Sequence, residues 1–304
     1  MHLPERVLVT EVGPRDGLQN EATSLTTARK AELIARLAAA GLSDIEATSF
    51  VHPRWIPQLA DAEDLMPLLP RRGGIAYTVL IPNLRGYERA APLRPDAVTL
   101  VCSASERHNR ANLNRSTEES LAGLAEVAAR ARADGVPVRG AISTAFWCPF
   151  EGRVPVERVV WVARAYAEMG AVEVSLADTL GTADPRHVAT LVPLVREAIG
   201  LPVSLHLHDT AGMALACVVA GLEVGIDHFD AAIGGLGGCP YAPGAAGNLA
   251  TEDLVFMLHR LGIATGVDEE RLLDAARFAR EAVGHDLHSR RLALADAGAL
   301  PPGA

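Results

Sequence analysis

Eight short runs rich in β-branched residues recur along this chain, each separated from the next by room for a helix. They are Val7–Glu11, Asp44–Thr48, Ala76–Ile81, Ala97–Val101, Val138–Ser143, Val172–Leu176, Val203–Leu207 and His228–Ile233. Between them lie amphipathic stretches rich in Ala, Leu and Arg, among them Thr27–Ala40, Thr117–Asp134, Val156–Met169, Pro185–Ile199 and Gly212–Val224. Such alternation predicts parallel strands joined by helical crossovers, because a parallel neighbour is reached only by a long return. A doubly wound open sheet would accept the same pattern. The count of eight, and the absence of GxGxxG after the first run, favour an α/β fold of the (β/α)8 TIM-barrel type. Residues 1–247 are expected to form the catalytic barrel. Residues 248–304 carry no further strand pattern. Their helical stretches, Thr251–Leu261 and Asp268–Val283, predict a C-terminal helical extension packed on the barrel, with a frayed end at Leu300–Ala304.

At 304 residues the chain suits one barrel of about 250 residues plus an appendage. Nearly half of it is apolar, 49%, which provides a large core and argues against disorder. The formal charge of -9 is spread without a basic stripe, which excludes nucleic acid as the expected partner. Cys102, Cys148, Cys217 and Cys239 show no CxxC or paired spacing, a usage that fits a reducing cytoplasm. No signal pattern opens the chain and no apolar run reaches about 18 residues, so no membrane partner is expected.

In a barrel of this kind the chemistry sits at the C-terminal ends of the strands. The unusual polar residues gather there. The first run ends in Gly13-Pro14-Arg15-Asp16, the second carries Glu46 and Ser49, and Arg139 opens the fifth. The sixth ends in Ser175, Asp178 and Thr179, the seventh reads "SLHLHDT", and the eighth runs into "GGLGGCPYAPGAAGN". His206 and His208, two apart in a strand, face the same space and make half of a metal site. Two hydrogen-bonded interior histidines are the alternative, and an HxH at a strand end followed by Asp209 favours the metal. Asp16 is the anionic ligand to join them, unless it is a surface residue paired with Arg15. Glu46 sits inside an apolar strand, where a lone carboxylate is costly, and Arg15 on the neighbouring strand is its natural partner. The glycine-rich segment is either a linker or a mobile lid with Cys239 at its tip and Asn248 at its far end.

Together "EVGPRDGLQNE", "IEATSFVHPRWIPQLAD", "CPFEG", "SLADTLG", "HLHDT" and "GGLGGCPYAPGAAGNLATEDLV" resemble the 3-hydroxy-3-methylglutaryl-CoA lyase family of metal-dependent, aldolase-like TIM-barrel lyases. The resemblance runs in order from about Val7 to about Val283. It implies divalent-metal ligands at Asp16, His206, His208 and Asn248, which suit Mg2+ or Mn2+. It implies a catalytic arginine at Arg15, an essential glutamate at Glu46 and a loop cysteine at Cys239. Asp16 is the first candidate for the general base and His206 the second. Gln19, Ser49, Arg139, Ser175, Asp178 and Thr179 are expected to contact an acyl-CoA substrate, and the chain to assemble as a homodimer or higher homo-oligomer.

The implied reaction cleaves a C–C bond in a 3-hydroxyacyl thioester. Where the family commonly reads "RGY…GCPYEG", this chain has "RGAISTAFWCPFEG", with Ala141 for a tyrosine, Trp147 for a glycine and Phe150 for a tyrosine. The metal ligands are untouched, so these changes bear on the acyl group, and citramalyl-CoA or a longer 3-substituted glutaryl-CoA is the alternative substrate. A condensing synthase of the same superfamily, which commonly carries a large extra C-terminal domain, is the less expected alternative, and a zinc amidohydrolase would place HxH on strand one. The basic stretch "HDLHSRRLA" is either a CoA-phosphate contact or a solvated surface.

Overall fold

The computed structural model describes residues 3–71, 73–238 and 247–299. Cys239 with the rest of the segment to residue 246, and the tail Leu300–Ala304, lie outside the described residues, so the expectations placed on them are not addressed by the fold.

Eight parallel strands close into a barrel: β1 (Leu8–Glu11), β2 (Asp44–Ser49), β3 (Ala76–Leu80), β4 (Ala97–Ser103), β5 (Val138–Ser143), β6 (Glu173–Asp178), β7 (Val203–Leu207) and β8 (His228–Ala231). Each pairs with its sequence neighbours, and β1 pairs with β8 to close the ring. All eight expected runs are strands. β4 and β6 extend two residues past the expected Val101 and Leu176, because Ser103 and Asp178 still find partners in Ser143 and Leu207. Ladder hydrogen bonds are indifferent to side-chain polarity, so an apolar pattern underestimates such ends.

The outer faces of the strands carry the core. Ile45, Tyr77, Val98, Val138, Leu176, Leu205 and Phe229 are all buried against the helical ring. Several helices begin where the sequence supplies caps. Thr26 accepts from the Arg29 N–H, Ser116 and Glu119 form a reciprocal capping box, and Asp184 precedes Pro185 in the first turn. Among the short helices that escaped the sequence reading are Leu84–Ala90, Glu106–Leu113 and Arg290–Asp296. They are capped by Asn83, Ser105 and Ser289, but are too short to show apolar periodicity. Residues 147–153 form a small hairpin over the end of β5.

The helices Thr251–Arg260 and Glu269–Val283 pack on the barrel. The chain between and before them is stitched to it by Val7 N–H donating to Ala264 O at 3.0 Å and Asp268 N–H to Ala40 O at 2.7 Å. Among the described residues no helix is long and apolar enough to cross a membrane.

Candidate metal and active site

β1 ends in a single π-helical turn, Gly13–Gly17, all of it buried. Val12 O accepts from the N–H groups of Arg15, Asp16 and Gly17, which packs an arginine and a carboxylate onto the barrel mouth in consecutive positions. π-turns are energetically poor and gather at functional sites. Arg15 Nε donates to Glu46 Oε2 and Arg15 Nη1 to Asp16 Oδ1, both at 2.5 Å. The partner that burial of Glu46 demanded is therefore Arg15. Gln19 Nε2 adds a bond to Asp16 Oδ1 at 3.0 Å, and Asn248 Nδ2 one to Asp16 Oδ2 at 2.8 Å.

Asn248 arrives from far along the chain by a local device. Residues 247–249 run antiparallel beside the end of β7, with Asp209 N–H donating to Gly247 O and Leu249 N–H to Leu207 O. Gly237 lets the chain pass close beneath: at φ 98°, a Cβ there would lie 2.5 Å from Asn248 Nδ2 and 3.0 Å from Asp16 O.

His206 Nε2 and His208 Nε2 stand 3.8 and 3.9 Å from Asp16 Oδ2. One donor atom from each of the three residues falls within 4.8 Å of the others. Donors sharing one cation at about 2.1 Å lie at most about 4.2 Å apart, so Asp16 is correctly spaced from both imidazoles. Asn248 Oδ1 is a buried carbonyl oxygen with no hydrogen-bond partner, which an added cation would satisfy. The residues present fit a divalent cation.

The charges agree. Burial opposes ionisation of Asp16, but Arg15 and the two histidines overcome it and hold the carboxyl at about 2. Burial, with His206 alongside, draws His208 down to about 4, so it is a neutral, ligand-ready imidazole at neutral pH. His206 is also opposed by burial, yet Asp230 and Asp16 outweigh it and raise its pKa.

Other expected contacts land differently. Ser49 faces the interior only because β2 carries a bulge between Glu46 and Thr48. The register runs Glu46 to Thr78, then Thr48 to Val79 and Ser49 to Leu80. Without the extra residue Glu46 and Ser49 would point to opposite faces. Ser175 lies inside the barrel, its Oγ 3.5 Å from Asp230 Oδ2.

Arg139, Asp178 and Thr179 each have a partner within the fold. Arg139, expected as a substrate contact, lies low in β5, bonded to Glu173 at 3.0 Å and Asp230 at 3.4 Å, and paired with Asp44 at 3.5 Å. Asp178 Oδ2 accepts from Ala183 N–H at 2.9 Å and so pins the loop after β6. Thr179 Oγ1 accepts from Thr144 N–H at 2.8 Å. Asp178 Oδ1 is buried without a hydrogen-bond partner. In the "HDLHSRRLA" stretch, Arg290 Nη1 is tied to Asp209 at 2.7 Å.

The sequence reading gave no role to Glu11 and Glu252, which are buried, or to Asp230, which is half-buried. Asp230 meets His206 Nδ1 at 3.2 Å. Glu11 accepts from the Gly13 and Ile233 N–H groups and from Thr251 Oγ1, tying β1 to the segment after β8. Glu252 accepts from Gly234 N–H through both oxygens. The argument that singled out Glu46, a carboxylate in an apolar strand, applies equally to Glu11 and to Asp230 in "HFDA".

Known proteins are similar to this chain over nearly its full length. A family model described as HMGL-like matches residues 6–279. Hydroxymethylglutaryl-CoA lyase YngG of Bacillus subtilis (strain 168) is 47% identical over 293 residues, 96% of this chain and 98% of that one. The crystal structure of Bacillus subtilis HMG-CoA lyase is similar at TM-score 0.95 and 46% identity, covering 97% of this chain and 100% of the other. An HMG-CoA lyase of Acinetobacter baumannii, solved with coenzyme A and 3-methylmalate, is similar at TM-score 0.91 and 41% identity, covering 99% and 98%. Likeness of this extent in both sequence and barrel makes the chain a member of the hydroxymethylglutaryl-CoA lyase family.

Proposed function

We propose that this chain is a divalent-cation-dependent carbon–carbon lyase that splits 3-hydroxy-3-methylglutaryl-CoA into acetyl-CoA and acetoacetate. The observation that carries the reading is the convergence of Asp16, His206 and His208 beside a buried Arg15 clamped by Glu46. Its relatives support the same chemistry. Asp16, His206, His208 and Asn248 would hold the cation, and their mixed oxygen and imidazole donors suit Mg2+ or Mn2+. When bound, the cation supplies Lewis acidity that makes the tertiary hydroxyl of the substrate a far stronger acid.

Asp16 then takes the hydroxyl proton. A carboxylate held at about 2 is a weak base, so the role requires a strongly acidified hydroxyl. The C2–C3 bond breaks, its electrons moving onto the thioester as an enolate while C3 becomes the ketone of acetoacetate. Arg15 stabilises the enolate oxygen. Its bonds to Glu46 and Asp16 use Nε and Nη1, and a guanidinium has five N–H donors to offer. Glu46 fixes the plane of that fork. Cys239 delivers the proton that converts the enolate carbon to a methyl group. The cysteine usage and the three free described thiols support a cytoplasmic setting.

One observation favours a second reading, a substituent longer than methyl at C3. Leu80, Val101, Ala141 and Ala177 are half-buried, and Ala141 shares the inward face of β5 with Arg139. Barrel interiors are usually filled by branched residues, and two alanines leave this wall shallow. The test is acetyl-CoA release from 3-hydroxyglutaryl-CoA thioesters bearing methyl or longer 3-alkyl groups, with Mg2+ or Mn2+ and with chelator. Cation-dependent cleavage of the methyl substrate is expected. Release that ignores the chelator, or no release from any member, overturns the proposal.

A further inference from the structure

His206 and His208 look equivalent in sequence, two apart in one strand and aimed at one carboxylate. Inside the barrel they are held very differently. His208 Nδ1 is buried with no hydrogen-bond partner. His206 Nδ1 lies 3.2 Å from Asp230 Oδ2. We infer that Asp230, on β8, is a positioning residue for the cation site: it fixes His206 as the Nδ1–H tautomer, leaving the Nε2 lone pair for the metal. The inference rests on the cation site proposed above and assigns a residue that the sequence reading did not name.

The chemistry is restrictive. An ionised carboxylate only accepts hydrogen bonds, so a ring nitrogen bonded to it must carry the proton. The other nitrogen of a neutral imidazole is then the lone-pair donor, and here it is the Nε2 that faces Asp16 at 3.8 Å. A carboxylate bonded to the far nitrogen is the usual way a ligand histidine is oriented.

Asp230 is itself fixed. Its Oδ1 takes Arg139 Nη2 at 3.4 Å, and its Oδ2 takes the Ser175 hydroxyl at 3.5 Å as well as His206. Arg139 is in turn shared with Glu173 at 3.0 Å, Thr10 at 3.4 Å and Asp44 at 3.5 Å. Glu173 accepts from Ser204 at 2.5 Å and meets His228 Nδ1 at 2.8 Å. The network takes members from β1, β2, β5, β6, β7 and β8, so the orientation of one imidazole is tied to most of the barrel wall. This gives Arg139 a purpose other than substrate contact.

The two oxygens of Asp230 face different partners, and this makes the test sharp. In Asp230→Asn, the single remaining oxygen goes to the Arg139 guanidinium, which can only donate. The amide NH2 then faces His206 Nδ1 and drives the proton to Nε2, the wrong nitrogen for a ligand. An amide replacing a histidine-bonded carboxylate imposes the wrong tautomer in the same way in the serine-protease triad. Asp230→Ala leaves His206 free to choose.

The experiment is Mn2+ titration of the full chain, followed by the electron paramagnetic resonance signal of free Mn2+. It is paired with long-range 1H–15N spectra of the histidines in metal-free protein, recorded at a pH high enough to keep His206 neutral, since its pKa is raised. The expected result is an Nδ1–H tautomer for His206 in the wild type and an Nε2–H tautomer in Asp230→Asn. Mn2+ affinity should fall about 10–100-fold in Asp230→Asn and less in Asp230→Ala. Packing or charge alone predicts the opposite order, since asparagine is the better shape match, and finding that order overturns the inference. So does an unchanged tautomer in the asparagine variant. A wild-type chain that takes up no Mn2+ yet shows Nδ1–H at His206 overturns the cation site itself.

Discussion

Arg15→Lys separates the role of the guanidinium from that of its charge. Arg15 spans two carboxylates, Glu46 through Nε and Asp16 through Nη1, each at 2.5 Å, and still has donors left for the substrate. Lysine keeps the charge but offers three donors from one point, so it cannot hold both carboxylates and an enolate oxygen in one plane. Two losses follow. Removing one donor from a developing oxyanion typically costs about 10²–10³ in kcat. Letting Asp16 shift by about 1 Å costs on the order of a further 10². The expected fall is therefore roughly 10⁴–10⁵, or about 5–7 kcal/mol of transition-state stabilisation. Folding should suffer far less, because the buried carboxylates keep a counter-charge. Losing one charge-assisted bond costs about 1.5–3 kcal/mol. The assay is kcat and KM by acetyl-CoA release, with Mn2+ affinity and Tm measured on the same preparation. A kcat within tenfold of wild type, in a folded variant that still binds Mn2+, would make Arg15 structural and refute the reasoning.

Three further outcomes are expected. Burial lifts Glu252 to about 8, backbone N–H bonds opposing and Asp253 and Glu11 adding to it, and burial lifts Glu11 to about 7. Their folded pKa values lie above the unfolded ones, so the native state keeps protons that the unfolded chain has released. Stability is then greatest below about pH 4.5 as far as these two groups are concerned, and falls as pH rises towards 7–8. Glu252→Gln should flatten Tm between pH 5 and 8 and raise it at pH 8, and an unchanged slope in a thermal-melt series would contradict this. His208→Ala should lower Mn2+ affinity by at least about tenfold and abolish turnover while the barrel melts cooperatively; undiminished Mn2+ uptake would remove His208 from the ligand set. Cys239→Ser should slow cleavage sharply with Mn2+ affinity intact, and Cys239 should be alkylated more slowly with a substrate analogue and metal bound. Cys148, buried at 3% exposure, serves as the slow internal control, and equal Cys239 labelling with and without ligand would count against a closing loop.

Much of the barrel could be read locally. The eight strands and the longer helices follow from apolar periodicity and from caps such as Thr26, Ser116 and Asp184, all of which depend on neighbours within a few residues. The histidine pair was legible for the same reason, since two residues apart in a strand means one face. The demand that Glu46 find a cation came from elementary desolvation. Other features could not be reached that way, because where a side chain points depends on register and on what pairs beside it. The bulge that turns Ser49 inward is a property of the match between β2 and β3. Asn248 reaches Asp16 because residues 247–249 lie antiparallel to the end of β7, a pairing across some forty positions that no periodicity announces. Asp178 and Thr179 meet the backbone N–H groups of Ala183 and Thr144, and Arg139 meets Asp44, Glu173 and Asp230. A polar residue at a strand end is thus a candidate by sequence alone; ring closure decides whether it meets the cation, its own loop or a counter-charge, because only closure sets the distances at which hydrogen bonds and ion pairs form.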